Sequence, residues 1–125
     1  MVIFYSTYAT ACYMEIEFAD PKMEKVFQDE RKMLKAYGKA RATKLQMRMA
    51  VLDGAASLAD VSRNRPERCH ELIGNRKGQL TVYLEGPYRL VFEPTNEPRP
   101  LKADGGLDWG RVTSIRILEI ADTHE

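Results

Sequence analysis

His70, Arg89, Asp122 and His124 are the residues of this sequence suited to acid-base chemistry on a phosphate. Histidine is the side chain matched to proton transfer near neutral pH. Arginine stabilises charge that builds on a phosphate in the transition state. A histidine at each flank of a phosphate held by Arg89 makes a workable route for cutting RNA. The 2′-hydroxyl loses its proton and attacks its own phosphate, and the departing 5′-oxygen takes a proton. That route needs neither metal nor cofactor. Arg76 and Lys77 occupy one turn between these residues, and Arg68 stands two places before His70. Spacing alone is a weak signal, because a lone histidine in a strand is usually a hydrogen-bonded structural residue. A histidine beside the last residue is usually solvated.

The elements that position these groups are legible between Pro66 and Pro94. Cys69 to Ile73 alternates in polarity, and Gly74-Asn75-Arg76-Lys77-Gly78 supplies turn residues. Leu80, Val82 and Leu84 alternate with Thr81, Tyr83 and Glu85, the period-two pattern of a half-buried strand. After Gly86-Pro87, Leu90 and Phe92 share one face of a third strand and Arg89 and Val91 the other. The reading is an antiparallel meander with one face on a core and one available for work.

Upstream, Met14 to Phe18 alternates apolar and acidic residues as a short strand. Asp20-Pro21 opens a helix by capping and by proline at its first position, and Gly38 closes it. A second helix runs from about Ala40 to Leu52, with Lys39, Arg41, Lys44 and Arg48 forming a basic exposed side. The methionines of both helices read as core packing rather than a binding groove. Ser57 to Val61 reads as one helical turn. Pro94 to Gly110 is too proline- and glycine-rich for regular structure, and Trp109 should anchor it. Val112 to Ile120 is a β-branched strand for the sheet interior. This order predicts an α+β domain, with two N-terminal helices on one face of a small, mainly antiparallel sheet. The opposite face is left as an open concave surface.

At 125 residues the chain fits one domain, placed at residues 14–125. Residues 1–13 lack both the basic start of a signal peptide and the length of a membrane span, and read as a start-site extension or an edge strand. Net charge is +1, so the whole chain makes no case for nucleic acid. Locally, Arg63, Arg65, Arg68, Arg76, Lys77 and Arg89 outnumber Glu67, Glu71 and Glu85. That is a basic patch an RNA phosphate would feel, or equally a solvated face. Cys12 and Cys69, with two histidines, supply neither a disulfide framework nor metal-ligand spacing, and a reduced cytoplasmic setting is the default.

The runs CHELIGNRKGQLTVYLEGPYRLVFEP and RILEIADTH resemble the RelE/ParE superfamily of bacterial toxins, nearest to its HigB-type killer proteins. The matching positions are His70 with Leu72, Gly74, Asn75 and Arg76, then Tyr88-Arg89, then Asp122-Thr123-His124. The resemblance implies the toxin of a type II toxin-antitoxin system, a ribosome-dependent mRNA endonuclease. It would be held by a helix-turn-helix antitoxin and reach operator DNA only through that partner, with no membrane role. It implies His70, Asp122 and His124, with Arg89, as catalytic, and Arg68, Arg76 and Lys77 as phosphate contacts. Thr123 stands where that branch has a tyrosine, and threonine cannot stack on a base. The alternatives are a gyrase-inhibiting binder like the ParE branch, or an inactive toxin-fold regulatory partner.

Overall fold

A computed structural model describes residues 13–123. Its elements run β1 (Glu15–Phe18), α1 (Pro21–Phe27), α2 (Glu30–Gly54), β2 (His70–Glu71), β3 (Leu80–Glu85), β4 (Tyr88–Pro94) and β5 (Ser114–Asp122). Asp20 caps α1, accepting the Lys22 N–H at 2.8 Å ahead of Pro21. The first helix stops sooner than its periodicity predicts. Asp29 accepts the Arg31 and Lys32 N–H groups and starts α2, so a second cap overrides continuation to Gly38. Gly38 still breaks the helical path, at φ 80 inside α2. A side chain there would be held in the left-handed region.

The sheet order is β1-β5-β4-β3-β2. β5 pairs parallel with β1 and antiparallel with β4, and β4-β3-β2 is the expected meander. This is an α+β fold, with both helices on one face of a mainly antiparallel sheet. Ile16, Leu80, Val82, Leu84, Leu90, Phe92, Ile115 and Ile117 send their side chains into one core with Met33, Leu45, Met49 and Leu52. Each such burial stabilises by about 1.5–3 kcal/mol. Met47, one of the methionines read as core packing, is instead about half exposed at 48%, as is Leu34 at 49%. Arg48 departs the other way. Expected on the solvent side of α2, it is buried.

Between the end of β4 at Pro94 and a 3₁₀ turn at Trp109–Arg111, the Pro94–Gly110 stretch carries an isolated bridge, Leu101 with Leu107. It is fastened at both ends. The Asn96 side-chain oxygen accepts the Thr113 and Ser114 N–H groups. Trp109 is buried, donates its indole N–H to Glu71, and carries the Arg63 guanidinium 3.8 Å over its ring. Met14 is fully buried and donates its N–H to Ala55. The expected 1–13 segment lies outside the described residues except for Tyr13. No helix among the described residues is long and apolar enough to cross a membrane.

Candidate functional site

Register decides which side chains share a face. Because Leu80, Val82 and Leu84 enter the core, Thr81 and Tyr83 face away from the helices. His70 pairs with Thr81, Thr81 with Val91, and Val91 with Glu119. Directly paired residues share a face, so His70, Thr81, Val91 and Glu119 form one row across the sheet. The next row is Tyr83, Arg89 and Ala121. His70 and Arg89 therefore stand on the same face.

His70 Nδ1 lies 3.1 Å from the Arg68 carbonyl oxygen. A carbonyl only accepts, so that contact puts the proton on Nδ1 and leaves Nε2 with its lone pair in the neutral ring. Arg68 presents this carbonyl from a left-handed backbone, φ 49. That conformation costs a residue with a Cβ about 1–2 kcal/mol. Arg89 donates to the Gly86 and Tyr88 carbonyls at 3.3 and 3.2 Å, and its guanidinium carbon sits 4.8 Å from the Tyr83 ring centre.

The Gly74–Arg76 turn does not stand clear of the sheet. Gly74 and Gly78, at φ 67 and 99, give it the left-handed corners that fold it back. Arg76 donates to Gln79 at 2.9 Å and forms an ion pair with Glu119 at 2.8 Å. The turn thus reaches from β2 to β5, and Thr81 and Val91 in the row beneath are fully buried. The expected open concave surface is in part roofed. Beside the roof, Leu72, Ile73, Gly74, Asn75, Arg76 and Thr123 line a cleft of about 250 Å³. The Thr123 hydroxyl oxygen is buried and without a hydrogen-bond partner among the described residues. Lys77 is exposed and in no ion pair among the described residues.

Asp122 is not brought to His70. It pairs with Tyr88, whose ring lies 3.8 Å beneath the Arg41 guanidinium of α2. The period-two alternation that puts Ala121 beside Arg89 turns Asp122 to the helix face. His124 lies outside the described residues. Sequence reasoning missed Glu119 and Tyr83, the partners of Arg76 and Arg89. The alternation of β3 would have flagged Tyr83, but nothing local in the sequence marks Glu119. Among the described residues no group of three or more His, Cys, Asp or Glu side chains is placed to hold a metal ion.

No family model matches the chain, and no curated protein matches it. The site has therefore to be read from its chemistry. One face carries a histidine with an open Nε2, an arginine positioned over an aromatic ring, and a second arginine shared between a glutamine and a glutamate. That set can bind a phosphodiester and move a proton beside it.

Proposed function

We propose that this chain is a type II toxin of the RelE/ParE superfamily, HigB branch, which cuts mRNA in the ribosome. The observation that carries the reading is the shared face of His70 and Arg89. Strand spacing and rise put their Cα atoms roughly 12 Å apart, and two side chains leaning inward leave room for one phosphodiester between them. In this reading His70 Nε2 takes the 2′-hydroxyl proton, Arg89 stabilises the charge on the pentavalent phosphate, and His124 protonates the departing 5′-oxygen. Lys77 and Arg76 hold flanking phosphates, Arg76 by exchanging Glu119 for the ligand. A cognate helix-turn-helix antitoxin would cover the same face in the cytoplasm and carry any contact with operator DNA.

A second reading, binding without cleavage, is favoured by one specific observation. Asp122 pairs with Tyr88, so strand alternation turns it to the face opposite the row of Arg89 and Ala121. Thr123 in place of a stacking tyrosine points the same way. Message cleavage mapped by primer extension, with and without translating ribosomes, separates the two readings. Cuts that need ribosomes and vanish in His70→Ala and His124→Ala are the result expected of the nuclease. An uncut message in both conditions would leave the binding-only toxin.

A further inference from the structure

A second cationic site lies at the edge of the sheet, where α2 meets the segment leading into β2. Lys44, Arg48, Arg65 and Arg68, with Pro66 and Tyr83, line a cleft of about 350 Å³. No carboxylate of the described residues lines it. Arg48 is only 2% exposed, and its Nε donates to the Tyr83 carbonyl at 2.7 Å. Among the described residues none of these four cations has an ion-pair partner. Their neighbour Arg41, two turns earlier on α2, is held by Glu85 at 3.3 Å. A buried guanidinium without a counter-charge is a costly arrangement, and three more cations around it add repulsion. An anion in the cleft removes both penalties.

We propose that this cleft binds a phosphate group. Two or three guanidinium forks converging with an ammonium match the tetrahedral array of phosphate oxygens better than they match a single carboxylate. The volume admits the phosphate with part of the sugar or group that bears it. Tyr83 connects the cleft to the sheet face, since its carbonyl meets Arg48 and its ring meets Arg89. A polynucleotide crossing Arg89 can therefore place a further phosphate in the cleft, and a free phosphate or mononucleotide presents the same chemistry. Binding here does not depend on cleavage at His70.

The test titrates the full chain, in low-salt phosphate-free buffer, with inorganic phosphate and separately with a short single-stranded 2′-O-methyl RNA that cannot be cut. The Lys44→Gln/Arg65→Gln variant should bind phosphate at least about ten-fold more weakly, and its salt slope for the oligonucleotide should fall by about 1. Loss confined to the oligonucleotide assigns the site to a polynucleotide, and loss confined to phosphate assigns it to a small ligand. Wild-type affinity and slope in the variant, or no binding of either probe to the wild type, overturn the proposal. If that variant fails to fold by circular dichroism, Arg68→Asn answers instead, because asparagine tolerates the left-handed backbone. Both probes are read by binding alone, with no cleavage step, so failure of the nuclease reading leaves this result readable.

Discussion

The sheet face and the edge cleft both gather cations, but among the described residues it is the sheet face that gives its arginines carboxylate partners. On the sheet face Arg76 holds Glu119 and Gln79, while Arg116 holds Glu93 and Glu17. In the cleft Lys44, Arg48, Arg65 and Arg68 have no carboxylate among the described residues. The first arrangement fixes side chains in place before any ligand arrives, at the cost of charge left over to attract one. The second leaves its charge available and its geometry held only by packing and the Arg48–Tyr83 hydrogen bond. Orientation for chemistry belongs to the sheet face, and affinity for phosphate belongs to the cleft.

The largest test of that division is His70→Ala. Message cleavage on ribosomes should fall by about 10²- to 10⁴-fold, the usual loss with a general base. Lys44→Gln should lower cleavage far less at saturating message. Comparable losses in both variants would dissolve the distinction between a catalytic face and a binding cleft.

Thr81 lies under the roof of the sheet face, fully buried, with no hydrogen-bond partner for its hydroxyl among the described residues. Thr81→Val keeps the shape and removes the orphaned group. The expected gain is about 1 kcal/mol of unfolding stability, read as a rise of roughly 3–5 °C in Tm. A loss of stability would mean that an ordered water beneath the turn satisfies the hydroxyl, and that the roof is wet.

A smaller effect is expected at Glu119. The Arg76–Glu119 pair is about one-third to one-half exposed, and pairs of that kind contribute about 0–1 kcal/mol. Glu119→Gln removes the competing charge. Affinity for the uncuttable RNA should rise by about two- to five-fold at low salt, and the salt slope should steepen by about one ion. An unchanged slope would show that the Arg76 turn is a structural roof and that phosphate enters only through the cleft.

The meander was legible because each of its strands follows period two and its turns carry glycine. Alternation likewise places His70 and Arg89 on one face without any contact being known. The sheet edge was not legible. Arg48 looks like solvent-facing charge in a helical pattern, and only the path of residues 65–68 against Tyr83 encloses it. Arg76 illustrates the same limit, for its partner Glu119 is 43 residues away in sequence. Asp122 falls outside the row of Arg89 for a different reason: it follows Ala121 in sequence, and successive strand residues point to opposite faces.

Cys69 probes whether β2 stays seated between these two regions. It is fully buried in the core, while Arg68 lines the cleft and His70 stands on the sheet face. Burial pushes its thiol from an ordinary 9.0 up to about 12. Folding therefore favours the protonated thiol, and above pH 9 the unfolded chain holds fewer protons than the native one. The contribution is complete below pH 9, so nothing changes at neutral pH, and it is lost as pH rises toward 12. A Cys69→Ala variant should show a flatter fall in stability over that alkaline range than the wild type, in denaturant titrations at stepped pH. The native thiol should also resist alkylation near pH 8. Rapid modification there, with stability unchanged, would mean that β2 detaches locally, carrying Arg68 and His70 away from the cleft and the sheet face together.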